Sequence, residues 1–583
     1  MSTGFNLSSV FATVAAAVPE QEVLVHGDLR LTYAQVQAHA DGFARFLASR
    51  GLGCHTERDD LAGHESGQDH VGLYLYNGPE YLEAMIASYR ARAVPINVNY
   101  RYVAEELAYL LVDAGTRALV YHSCFAEQVA AVRAQVPTLD VLVQVPDESG
   151  ADLLPGAVWW EDAVATPEDA AVLPEPTGDD LYVVYTGGTT GMPKGVLWRQ
   201  DDMYVTSMGG TPFGTTEPYS SYEAIAENAR NAAGGMTLLM ALPFMHGAAQ
   251  WSTFHMITSG GKIVLPEDVK SFDADAVLRT VIREGCVSLP VVGDAMVRPI
   301  IAALEAGDYD LSGLAAVNNG AAPLSPAVRA RLMELLPHIL VMDAAGSSET
   351  GLQMSSMSLK GMEAEAATFT PVPTTTVVAE DLSHVLSPDE AQGAGGGWLA
   401  QRGRVPLGYL GDAEKTARTF PMIDGERFSV PGGRTPGRAR RRGRGTPLRA
   451  LGQRAGRDRV AQLRRTGRRA ARHRRRAHRP LQAAQGLPAG RPRRPLAQRQ
   501  GGLPLGQGAG RRLTTPPASG GHASRRRGRP VRMTSRRSRA PRLSRPGRGS
   551  GRRPGGTRRR RTTACRATRR SGRRGSDAPR RAR

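Results

Sequence analysis

The chain has 583 residues, 41% of them hydrophobic, enough for a large core and for more than one domain. Its formal net charge of +20 averages two unlike parts: residues 434–583 hold 50 Arg, no Lys, no Glu and two Asp (Asp458, Asp577), hence +48, whereas the preceding 433 residues hold 25 basic against 53 acidic side chains, hence −28. Four scattered cysteines (Cys54, Cys124, Cys286, Cys565) without CxxC spacing argue against a disulfide framework or zinc site and for a reducing compartment, and the lack of any run of about eighteen apolar residues excludes an ordinary transmembrane helix.

Residues 10–18 are apolar with no basic residues before them, which predicts a buried first helix rather than a signal peptide. From residue 31 to 342 short β-rich runs alternate with helical patterns. Thr32 is placed to cap a helix whose apolar face carries Val36, Ala40, Phe43 and Leu47. The polar segment 54–69 reads as a surface insertion in a loop. Residues 70–76 read as a strand, Pro79–Arg90 as a helix opened by proline, 93–98 as a strand, 105–113 as a helix and 118–121 as extended chain. Further strands are expected at 237–242, 262–265, 287–291, 314–317 and 339–342, with helices such as 273–284 and 326–336 between them. This rhythm predicts an α/β fold of helix-covered, mostly parallel sheets, whose ligands sit at loops leaving strand ends.

The apolar run 182–185 is followed at once by Thr186-Gly187-Gly188-Thr189-Thr190-Gly191-Met192-Pro193-Lys194-Gly195. Glycines let the backbone approach an anion, threonine hydroxyls and successive N–H groups donate to phosphate oxygens, and Lys194 adds a movable positive charge. The pattern is a phosphate loop but not a Walker A motif, because Pro193 precedes the lysine and no Ser or Thr follows it to hold Mg²⁺.

This loop resembles the signature of the adenylate-forming superfamily, which includes acyl-CoA synthetases, luciferases and peptide-synthetase adenylation domains. Gly187 stands where the more common form has Ser. Further segments fit in the same order. Pro243-Phe244-Met245-His246-Gly247 resembles the segment before the acyl pocket, Asn319-Gly320-Ala321-Ala322-Pro323-Leu324 the adenine-contacting strand end, and Gly346-Ser347-Ser348-Glu349-Thr350 the Mg·ATP motif. Gly408-Tyr409 with Glu414, Thr416 and Phe420 resembles the stretch before the ribose site. The whole is similar to actinobacterial fatty-acyl-CoA synthetases, some of which act on sterol side chains.

The resemblance implies a large N-terminal AMP-binding domain over residues 1–432 and ATP-dependent ligation of a fatty or sterol-derived acid to CoA, with Mg²⁺ and in the cytoplasm. The acid attacks the α-phosphorus of ATP and expels pyrophosphate; a thiol then displaces AMP from the acyl-AMP. Negative charge gathers on phosphate oxygens, so donors, a cation and Mg²⁺ are needed. Thr186, Lys194 and Glu349 are the implied catalytic residues. Thr186 to Gly191 and Lys194 would hold the phosphates, Gly320, Ala321 and Ala322 the adenine, Ser348 a phosphate oxygen, and Glu349 the metal through hard oxygen ligation. Met245, His246, Gly247, Trp251 and Val317 would line the acyl slot. By itself a histidine at position 246 reads more readily as structural; the resemblance makes it a pocket wall or gate.

Residues 434–583 contain no Phe, Tyr, Trp, Ile, Asn or Lys and only 12 Leu plus Val, too few for a core, and disorder is expected from residue 433 onward. An Arg-rich arm binding nucleic acid and a solvated linker are two readings of it; a shifted reading frame is the third. The missing residues have codons beginning with A or T, whereas Arg, Pro, Gly and Ala are spelled largely from G and C, which favours the shift. Starting one base later, the bases fixed between Leu481 and Thr514 permit a string resembling the end of the same synthetases, followed by a stop codon. The catalytic lysine of the family would fall across the codons of Gln500 and Gly501, and Gly433 stands where the ribose-binding Asp is expected. The chain as written is therefore expected to keep at most weak nucleotide binding and little ligase activity. Alternatives are an acyl-AMP ligase with a non-CoA acceptor, a non-catalytic ATP-binding pseudoenzyme and an Arg-tailed nucleic-acid binder; oligomeric state is left open.

Overall fold

Eleven residues, Leu7–Ala17, form the first helix because Asn6, itself buried, accepts from the backbone N–H of Ser8 and Ser9 and so satisfies two orphan donors. Leu7, Val10, Phe11 and Val14 are fully buried, as expected from the apolar run. The next helix, Tyr33–Ser49, opens with a capping box between Thr32 and Gln35 and buries Val36, Ala40, Phe43 and Leu47. The structure, a computed structural model, describes residues 4–186, 192–232, 234–361, 369–393 and 397–432. Gly187, Gly188, Thr189, Thr190 and Gly191, and the Arg-rich tail with its expected disorder, lie outside the described residues.

Two large sheets carry the expected parallel pattern. Five parallel strands run in the order Val94–Asn97, His70–Tyr74, Thr116–His122, Val141–Val145, Ala157–Trp159. A nine-stranded sheet has a parallel interior of Glu22–His26, Lys262–Leu265, Thr237–Leu239, Ser288–Val291, Ala316–Asn319 and Leu340–Ser347. Its edges are antiparallel: Leu29–Thr32 on one side, Gly351–Ser358 and Thr370–Pro371 on the other. Helices cover these sheets, and the apolar strand faces pack into the clusters beneath them.

The segment that carries the phosphate loop departs from the expected parallel pattern. Leu181–Thr186 and Lys194–Arg199 pair antiparallel, Thr186 opposite Lys194, and Gly408–Tyr409 joins the same three-stranded sheet opposite Leu197 and Val196. These two paired strands are the legs of a hairpin, and residues 187–191 connect them in sequence. A fourth sheet, also antiparallel, is built from Thr375–Val378, Trp398–Arg402, Glu426–Ser429 and Met422–Ile423. Segment 54–69 is part exposed and part half-buried, and is closed at its base by a bridge between Cys54 and Gln68, whose side chain reaches Arg92 O (2.8 Å) and Leu181 N (2.7 Å).

Candidate active site

The hairpin is fastened from the five-stranded sheet. Asn97 ends the strand Val94–Asn97 and is buried; its amide donates to Tyr185 O (2.9 Å) and Met245 O (2.7 Å) and accepts from Tyr185 N (2.8 Å). Asn77 does the same one strand over, donating to Leu242 O (2.8 Å) and accepting from Phe244 N (2.7 Å). Two carboxamides at strand ends therefore hold both the leg entering the phosphate loop and the 242–245 segment, satisfying backbone groups that would otherwise be buried unpaired. Sequence reasoning missed both; an Asn at or just beyond the end of a buried strand was the available signal.

Lys194 begins the returning strand. Its ammonium group lies 3.0 Å from Asp113 Oδ1, an acid that the sequence did not single out. Tyr109 donates to the same oxygen (3.2 Å) and Tyr185 to Oδ2 (2.9 Å). Burial opposes the lysine's charge, but the bond and the charge of Asp113 outweigh it and its pKa is raised.

Glu349 sits in the tight turn between Leu340–Ser347 and Gly351–Ser358. Gly351 has φ +64°, and a Cβ there would lie 2.7 Å from Ser207 Oγ, so glycine suits this turn on two counts. Tyr409 donates its hydroxyl to Glu349 Oε1 (2.9 Å), and Ser429 donates to the Glu349 carbonyl (2.5 Å). Trp198 on the hairpin donates to Ser348 O (2.8 Å). Lys194 and the Ser348-Glu349 pair are thus attached to one strand and its neighbour. Lys415 lies 3.8 Å from the centroid of the Tyr409 ring, adding a cation on its face. Among the described residues Oε2 of Glu349 has no partner and no group of three potential ligands could hold a metal alone. That donor set fits Mg²⁺, which takes one or two carboxylates and completes its shell with waters and substrate phosphates.

Gly320, Ala321 and Ala322 follow the strand Ala316–Asn319, and Ala321 has φ +62°, a strained value for a residue with a Cβ. The strain is held from below. Asn319 donates to Ala322 O (3.0 Å) and Asp343 Oδ1 (2.9 Å) and accepts from Gly293 N (2.7 Å), while Arg329 pairs with buried Asp343 at 2.5 Å. Ala321 is exposed above this network.

The residues expected to line the acyl slot differ in exposure. Met245 is buried, His246 is the exposed cap residue of the helix Gly247–Thr258, and half-buried Trp251 on that helix donates to Tyr182 Oη (3.1 Å). Although it is exposed, partial desolvation and the nearby Arg101 charge lower the His246 pKa. Val317 is 2% exposed and belongs to the core cluster that includes Val277, Leu289 and Leu332.

Residues 11–396 match the family model described as AMP-binding enzyme. The chain belongs to the AMP-binding enzyme family. It is 53% identical over 437 residues to the medium-chain acyl-CoA ligase Mig of Mycobacterium avium, covering 74% of this chain and 78% of that protein. It is 37% identical over 439 residues to the medium/long-chain-fatty-acid and 3-oxocholest-4-en-26-oate CoA ligase of Mycobacterium marinum, covering 74% and 76%. Among solved structures, a long-chain-fatty-acid-CoA ligase of Archaeoglobus fulgidus superposes with a TM-score of 0.59 at 17% identity, covering 73% of this chain and 81% of that one. The N-terminal domain of FACL13 from Mycobacterium tuberculosis gives 0.56 at 20% identity, covering 73% and 96%. These two likenesses concern the fold. No helix among the described residues is long and apolar enough to cross a membrane.

Proposed function

We propose that this AMP-binding enzyme descends from, and is built as, an ATP-dependent acyl-CoA ligase of the cytoplasm acting on a fatty or sterol-derived carboxylic acid. The observation that carries the reading is the joint mounting of Lys194 and Glu349 on the loop-bearing hairpin: Lys194 begins its second strand, and Trp198 and Tyr409 tie Ser348 and Glu349 to the same sheet. Names of the relatives support CoA as acceptor and medium-chain, long-chain and steroid acids as the substrates to test.

In this mechanism Lys194 and the backbone around Thr186 receive the triphosphate, and the turn at 320–322 takes the adenine. Glu349 would hold Mg²⁺, which when bound neutralises phosphate charge. A carboxylate oxygen of the acid forms a bond to the α-phosphorus as the bond to pyrophosphate breaks. The thiol of CoA then attacks the acyl carbon and AMP leaves. Lys194, already charged and close to the loop, stabilises negative charge that grows on phosphate oxygens.

Residues 1–432 form the AMP-binding domain in this reading, and residues 433–583 replace the small domain that would bring a second lysine. Ligase turnover of the chain as written is therefore expected to be orders of magnitude below that of a version with the frame restored after residue 432. The test incubates both with Mg·ATP, CoA and octanoate, palmitate or 3-oxocholest-4-en-26-oate, and measures AMP and acyl-CoA. Acyl-CoA from the restored version alone supports the reading. No acyl-CoA from either overturns the ligase assignment, and equal turnover overturns the assignment of the tail.

A further inference from the structure

Asp113 is the last residue of the helix Ala104–Asp113, where the aligned peptide dipoles leave partial negative charge and an anion is disfavoured. Its placement is offset by three donors: the ammonium of Lys194, and the hydroxyls of Tyr109, one helical turn before it, and Tyr185, the residue before Thr186. Tyr109 also reaches Pro193 O at 3.4 Å, next to the lysine. One carboxylate thus gathers groups from both legs of the hairpin.

Resting on the reading of Lys194 as the cation that meets phosphate, we propose that Asp113 is a positioning residue acting through Lys194: its carboxylate holds the ammonium group beside the loop in the nucleotide-free protein and yields it to the triphosphate of Mg·ATP. Phosphate and Asp113 then compete for one cation. The pair is partly solvated, with side-chain exposures of 29% for Lys194 and 16% for Asp113, so water screens it and the carboxylate holds the lysine weakly. The triphosphate carries several negative charges against the single charge of Asp113, so the exchange runs toward the nucleotide. Tyr109 and Tyr185 remain on Asp113 after the lysine leaves, which keeps its charge solvated by donors rather than stranded at the helix end. The arrangement places the lysine without a search through its rotamers, and its raised pKa agrees with a fully charged side chain.

The substitution Asp113→Asn removes the charge and keeps an acceptor for a tyrosine hydroxyl. Calorimetry on the full chain is expected to show Mg·ATP bound about three- to tenfold more tightly by this variant, with no such gain when Lys194→Ala is also present. Unchanged or weaker binding overturns the proposal, as does a gain that survives in the Lys194→Ala background. Acylation of Lys194 by an amine-reactive ester, followed by mass spectrometry, is a readout that a merely structural role would not move: it is expected to rise severalfold in Asp113→Asn and to stay at the wild-type rate in Asp113→Glu. On the unmodified chain the pH profile of this labelling gives the lysine pKa directly; a value at or below the ordinary lysine range overturns the proposal whether or not the variants fold. Protection of Lys194 by Mg·ATP in neither protein overturns the nucleotide-site reading together with this one. Protection in both with equal affinity overturns the competition alone.

Discussion

The two charged residues of the proposed site are held in opposite ways. On the side of the five-stranded sheet, Lys194 faces a full opposite charge from Asp113; on the side of the nine-stranded sheet, Glu349 is held by neutral donors, the hydroxyl of Tyr409 on its carboxylate and that of Ser429 on its carbonyl. An ion pair neutralises what it holds, whereas a hydroxyl orients a carboxylate and leaves its charge for an outside cation. Lys194 is therefore neutralised by the group that holds it, whereas the Glu349 carboxylate is oriented by a hydroxyl without an opposite charge.

The largest effect is expected where this comparison rests on buried backbone. Asn97→Leu leaves Tyr185 N, Tyr185 O and Met245 O without their partner, a loss of about 3 kcal/mol or more, read as a lower melting temperature. A variant as stable as the parent would show that the hairpin is not fastened from the five-stranded sheet. Next comes Lys194→Ala, expected to weaken Mg·ATP binding about ten- to a hundredfold by calorimetry, since a charge-assisted contact is lost; a change under twofold would remove the lysine from the site. Tyr409→Phe should weaken Mg·ATP binding about threefold to tenfold while leaving ATP binding in chelator unchanged. Equal losses with and without Mg²⁺ would mean that the tyrosine supports the fold rather than the acid.

The smallest expected effect is a pH dependence at the end of the five-stranded sheet. His122 Nδ1 accepts from the backbone N–H of Tyr76 (3.1 Å), and burial lowers its pKa to about 4. The neutral ring is the folded form, so this contribution to stability is complete above pH 6.5 and is lost as pH falls through about 4. Over that window the parent should lose about 2–4 °C of melting temperature more than His122→Asn, whose amide oxygen also accepts without titrating. Parallel curves would refute the role of this ring.

Several elements were legible because their ends carry punctuation. Pro79–Arg90 begins at a proline pre-set for a first helical turn, and Lys262–Leu265 is a short apolar run preceded by a Gly pair. The strand expected at 339–342 instead runs Leu340–Ser347, because Ala344, Ala345 and Gly346 show no alternation of apolar and polar residues. A Cβ on Gly346 would fall 2.0 Å from Gly351 O, so the small residue there serves a close backbone approach that periodicity does not report. Similarly, the strand expected at 314–317 is Ala316–Asn319, since two asparagines hid its end. The loop and the Ser-Ser-Glu turn stood out as motifs because their chemistry is local. Asp113 and Asn97 did not, because their partners lie 81 and 148 residues away and nothing in a linear pattern pairs them.

The bonds from Trp198 to Ser348 and from Tyr409 to Glu349 have a mechanical outcome. They make the strand Lys194–Arg199 and its neighbour a common mount for both poles of the proposed site. A slide or tilt of the hairpin carries cation and acid together, and the spacing between them survives motions that would separate groups borne on independent supports.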